Sequence, residues 1–98
     1  MNKLIIGVVI AALPVMASAN VIERACLSSD RKAAAGDLCG CIQDVANLVL
    51  SPNDQRRAAT FFTDPQRAQE TRQSGSRRDE QFWTKYRRFG EHAEKYCS

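Results

Sequence analysis

A single histidine, His92, supplies all the imidazole in this chain. That scarcity excludes metal centres built on several histidines. It also leaves nucleophilic catalysis without a recognisable base, because Glu91 and Glu94 lie beside His92 but no spacing joins it to a nucleophile. Glycine-rich phosphate loops and the two-histidine helix of metalloproteases are missing as well. No segment alternates apolar and polar residues with β-branched enrichment, which argues against strands. The formal net charge of +3 lacks the strongly basic, clustered character of nucleic-acid binders. After residue 19 no apolar run approaches the roughly 20 residues that a bilayer-crossing helix requires. These absences point away from an enzyme and call for no catalytic residue, metal or cofactor.

What is present begins with an export signature. Lys3 is the single charge of residues 1–19, Leu4 to Val15 is uncharged and apolar, and Ala17-Ser18-Ala19 offers small residues where a signal peptidase reads them. The twelve-residue apolar run is short for a spanning helix, which needs about 20. No arginine pair precedes it and no cysteine follows it to accept a lipid, so the general secretory route is expected. Cleavage after Ala19 would leave residues 20–98 as one periplasmic or secreted domain.

All four cysteines, Cys26, Cys39, Cys41 and Cys97, fall in that part. An even count in a short exported chain reads as a disulfide framework, because the compartment lets thiols oxidise. A domain this small draws only about 3–5 kcal/mol from its core, so two disulfides at roughly 2–4 kcal/mol each would carry much of its stability.

The segment from Asn20 reads as helix throughout, and the expected fold is all-α, a small bundle of four or five short helices. Asn20 and Glu23 can form a capping box for the first, whose apolar side is Val21, Ile22, Ala25, Cys26 and Leu27. Ser28 to Asp30 offer a cap for a short helix over 31–35, stopped at Gly36. Asp37 then starts a core helix with the stripe Leu38, Cys41, Ile42, Val45, Leu48 and Val49. Ser51-Pro52 opens another, because serine caps and proline is pre-set for the first helical position. Ala58, Ala59, Phe61 and Phe62 are its buried candidates. Thr63-Asp64-Pro65 repeats the device for residues 66–72. Ser76 caps the last helix, with Asp79 favouring the positive end of its dipole and Phe82, Tyr86, Phe89, Ala93 and Tyr96 on one face, widened by Trp83.

Residues two apart on a helix point about 200° apart, so Cys39 and Cys41 face nearly opposite sides, and a bond between them would close a strained ring. Cys26–Cys39 with Cys41–Cys97 is the preferred pairing, since Cys39 begins its helix near the preceding connection and Cys41 faces the core where the last helix packs. Cys26–Cys41 with Cys39–Cys97 stays open. The other reading of Cys39-Gly40-Cys41 is a redox dithiol or a soft-metal site. The two further cysteines, which close a structural set, weigh against it, as does the lack of a strand–CxxC–helix context.

Arginine supplies ten of the thirteen basic side chains after residue 19, against eleven acidic ones. Arg56, Arg57, Arg67, Arg72, Arg77 and Arg78 form a candidate face for an anionic partner such as phospholipid head groups, lipopolysaccharide phosphates or an acidic protein surface. The near balance of charge favours instead a solvated surface, with Asp54, Glu70, Asp79, Glu80, Glu91 and Glu94 paired to neighbours three or four residues away. Trp83 and Tyr86 beside Arg87 read as core aromatics. A soluble solute binder is disfavoured, because cavities of about 300–1,000 Å³ are hard to open in so small a domain.

The strings Glu23-Arg24-Ala25-Cys26-Leu27-Ser28-Ser29-Asp30-Arg31, Leu38-Cys39-Gly40-Cys41-Ile42-Gln43, Phe61-Phe62 with Asp64-Pro65 and Ala68-Gln69-Glu70, and Phe82-Trp83 before Cys97 together resemble a family of short exported alphaproteobacterial proteins. The resemblance spans almost all of residues 20–98. That family has no assigned activity and offers no catalytic residues to carry over. Some members bear the name "arginine transporter", which implies for a chain with one apolar segment at most a soluble accessory component of solute uptake.

Overall fold

Serine and proline set the helix boundaries. Ser51 Oγ accepts the N–H of Asp54 at 3.1 Å with Pro52 in the first helical position, and Ser76 Oγ accepts the N–H of Asp79 at 3.1 Å. Each side chain satisfies a donor that the first helical turn leaves without a partner. The computed structural model describes residues 20–29 and 36–97. The expected signal segment 1–19 and the expected short helix over 31–35 lie outside the described residues.

The helices are α1 (Val21–Ser28), α2 (Gly36–Val49), α3 (Pro52–Thr63), α4 (Pro65–Gln73) and α5 (Arg77–Cys97). No strand occurs among the described residues, so the fold is all-α. Helix α1 packs on both α2 and α3, α2 packs on α5, and α4 touches α3 and α5. Gly36, read as a stop, is instead the first residue of α2.

Two expected caps are absent. Asn20 makes no side-chain cap bond. Gln43 Oε1 of α2 accepts the N–H groups of Ile22 and Glu23 at 2.8 and 2.9 Å, so the donors a local cap would use are already satisfied from another helix. Asp64 likewise makes no side-chain cap bond to α4; its carboxylate reaches Arg67 Nε at 3.3 Å.

The buried cluster joins Ile22 of α1, Val45 and Ala46 of α2, Leu50 just after α2, Ala58, Ala59 and Phe61 of α3, and Phe82 and Phe89 of α5. Helix α2 departs from the expected stripe. At 100° per residue, Cys39, Gln43 and Ala46 share one row with Leu50, and all four are buried. Val45, flanked by Ile42 and Val49, forms a second row on an adjoining side. Leu48 lies opposite the first row and is 85 % exposed. Of the stripe expected from sequence, Ile42, Val45 and Val49 fall in the second row and Leu48 falls outside both, while the first row was missed because Gln43 interrupts its apolar pattern. Tyr96, expected in the core, is 64 % exposed and Leu27 is half-exposed, whereas Phe62, Trp83 and Tyr86 are partly buried against the cluster.

Two kinds of packing result. Between α1, α2 and α3 lies an amide network: Gln43 Nε2 donates to Asn47 Oδ1 and Gln55 Oε1, both at 2.9 Å, and Gln55 Nε2 reaches Asn47 Oδ1 at 3.2 Å and the carbonyls of Leu50 and Ala46. Gln55 thereby supplies a donor to the carbonyl of Leu50, just past the C-terminal end of α2, and a second one to the carbonyl of Ala46, which already accepts the N–H of Leu50 at 2.8 Å. Between α3 and α5 an aromatic group packs beside the ion pairs Arg57–Asp79 and Asp54–Lys85. Phe61 meets Tyr86 edge-on at 4.9 Å and Phe82 edge-on at 5.8 Å, the arrangement that ring quadrupoles favour.

Candidate functional site

The cysteines form two bonds, Cys26–Cys39 and Cys41–Cys97, and no described cysteine is free. Cys39 and Cys41 are therefore not joined to one another, and the α2 helix directs them to α1 and α5 respectively. Cys26–Cys39 is enclosed, with Cys39 fully buried and Cys26 4 % exposed, while Cys41 and Cys97 are half-buried. This reverses the sequence expectation that Cys41 faces the core and Cys39 its margin. The row Cys39–Gln43–Ala46 is the one covered by α1 and α3. In the chain-entropy picture, closing loops of 13 and 56 residues contributes about 3 and 4 kcal/mol. Disulfides of this kind fit an exported protein.

The six arginines of the expected anionic face are divided by the fold. Arg57 and Arg67 line a polar cleft of about 350 Å³ between α3, α4 and α5, together with Glu70, Thr71, Ser74 and Asp79. Arg57 is engaged there: its guanidinium stacks 4.4 Å from the centre of the Phe82 ring and meets Asp79 Oδ1 at 2.5 Å. The Arg57 hydrogen bond holds the Asp79 carboxyl below its ordinary value of 3.8, and Ser74 adds to the effect. With Arg67 reaching Asp64 and with Glu70 and Asp79 in the lining, the cleft's charges are matched from within.

Arg56 belongs to a different place. It lines an open groove of about 460 Å³ between α1 and α3 that also carries Arg24, and its Nη2 bonds the neutral Asn53 Oδ1. Arg72, at the end of α4, and Arg77 and Arg78, at the start of α5, are exposed. None of the three has a carboxylate within ion-pair reach among the described residues. Charge balance is also less local than the sequence spacing implies. Asp54 pairs with Lys85 of α5 at 3.3 Å and Asp79 with Arg57 of α3, and Arg67–Asp64 is the one described pair within a helix-turn spacing.

His92 is exposed, with Nδ1 2.9 Å from the Arg88 carbonyl oxygen. Among the described residues, no three histidine, cysteine, aspartate or glutamate side chains stand together as a metal-holding group, and no helix is long and apolar enough to cross a membrane. Sequence reasoning missed the groove because its floor is made of small residues from two helices that only the tertiary packing brings together. Compared with protein-family profiles, curated sequences and solved structures, the chain has no match.

Proposed function

We propose that the protein is a small exported helical module, active in the periplasm or outside the cell, that works by binding an anionic envelope component rather than by thiol chemistry. The observation that carries this reading is the commitment of all four cysteines to two long-range bonds. A dithiol acting in redox exchange needs an accessible, ionisable sulfur, and here Cys39 is both bonded and fully buried. What the surface offers instead is arginine. Arg72, Arg77 and Arg78 cluster in sequence around the α4–α5 turn and lack described carboxylate partners, and guanidinium groups match phosphate oxygens in a two-point fork.

The test is co-sedimentation of the oxidised protein with vesicles containing phosphatidylglycerol or only phosphatidylcholine. The reading predicts binding to the anionic vesicles that falls steeply with salt, as screened charge contacts do, and that weakens in the Arg72→Gln/Arg77→Gln/Arg78→Gln variant. Equal binding to both vesicle types, or none to either, would overturn it.

A further inference from the structure

The groove between α1 and α3 differs from the polar cleft in one respect that matters for ligands: the ionisable side chains among its described lining residues are of one sign. Val21, Ala25 and Ala59 supply an apolar floor, and Arg24 and Arg56 supply the ionisable side chains among the described lining residues. The remaining lining groups are hydroxyls, and each is tied to a main-chain carbonyl of its own helix. Ser28 Oγ donates to Arg24 O at 2.9 Å, Thr60 Oγ1 to Arg57 O at 2.7 Å and Thr63 Oγ1 to Thr60 O at 3.4 Å. With their O–H donors so used, these hydroxyls keep only acceptor capacity for a ligand. Arg56 spends one contact on the uncharged Asn53 amide, leaving most of the five donors of a guanidinium for another acceptor. An apolar trough with arginine at its rim and no carboxylate among its described lining residues complements a molecule that is apolar along its length and anionic at one end. Its volume of about 460 Å³ falls within the roughly 300–1,000 Å³ of small-molecule sites.

We propose that this groove binds a single-chain anionic amphiphile, with the hydrocarbon along Val21, Ala25 and Ala59 and the anionic head on Arg56. The assignment rests on the reading of the protein as a binder of anionic envelope components and names the part of such a component that is gripped. Phosphate- or carboxylate-headed acyl chains have the required chemistry. The apolar floor contributes affinity in proportion to the carbon it covers, and the rim selects for charge.

The test uses the oxidised protein with dodecyl phosphate below its micellar concentration, followed by calorimetry. Dodecyl maltoside and inorganic phosphate serve as tail-only and head-only probes. The proposal expects saturable binding of one dodecyl phosphate per chain, with both other probes weaker by about tenfold or more. Thr63→Trp, at an exposed groove position, should abolish binding by filling the trough. Arg56→Gln should weaken dodecyl phosphate about tenfold while leaving dodecyl maltoside unchanged. Unaltered dodecyl phosphate binding by Thr63→Trp, or maltoside binding as tight as phosphate, would overturn the groove assignment. If Thr63→Trp still binds phosphatidylglycerol vesicles while the parent ignores dodecyl phosphate, the groove assignment falls and the broader anion-binding reading stands. If the parent binds neither, both fall.

Discussion

Helix α3 packs on one side against an amide network beside the disulfide that ties α1 to α2, and on the other against rings. Toward α1 and α2 it contributes Gln55 and Ala58 to a region containing Gln43, Ile22, Ala46 and the enclosed Cys26–Cys39 bond. Toward α5 it contributes Phe61 to a group with Phe82, Trp83 and Tyr86. The aromatic side draws on area and packing, which tolerate some rearrangement. The amide side depends on directional bonds, which do not, because a buried donor left without an acceptor costs its full desolvation. A small domain can thus fix the position of one short helix, α1, without many apolar side chains, by satisfying its first-turn donors from a neighbour.

Substitutions on the two sides should fail differently. Phe61→Ala removes the ring around which the α5 aromatics gather, and a loss of about 3–5 kcal/mol in urea unfolding is expected. Gln43→Leu keeps the volume but orphans the N–H groups of Ile22 and Glu23, and should cost about 2–4 kcal/mol. A near-neutral Gln43→Leu would erase the distinction between the sides. Acid should affect the α3–α5 side through Arg57–Asp79. The folded-state carboxyl is held below 3.8, so its stabilisation is complete above the unfolded-state value and disappears as pH falls through the lower folded-state value. Asp79→Asn should flatten the stability profile in that acidic range and be least distinguishable from the parent at the lowest pH. The smallest effect is expected from Gly90→Ala in mid-α5, where a new methyl meets nothing within 4 Å. Replacing glycine in a helix should raise stability by about 0.5–1 kcal/mol.

The aromatic side was legible in the sequence because Phe82, Tyr86 and Phe89 recur at helical spacing, although Tyr96, expected on the same face, is exposed. The Ser51-Pro52 and Ser76 helix starts were legible for a similar reason, since a cap acts locally. The amide side was not. Gln43 and Gln55 look like surface residues until tertiary packing supplies their partners, and the same packing displaced the local box at Asn20. The α2 stripe went astray for a related reason: a helix covered on two sides needs two rows, and one of them is written in cysteine, glutamine and alanine. The arginines were visible as a set, but their division among an internally matched cleft, the groove between α1 and α3, and the exposed turn between α4 and α5 depends on which helices touch.

Both the fold and the proposed mode of action depend on the cysteines being structural. Peptide mapping of the protein, isolated without reductant and with free thiols alkylated at once, tests this most directly. The predicted result is two cross-linked species, Cys26–Cys39 and Cys41–Cys97, and no alkylated cysteine. Recovery of Cys39 and Cys41 as free thiols, or bonded to each other, would contradict it.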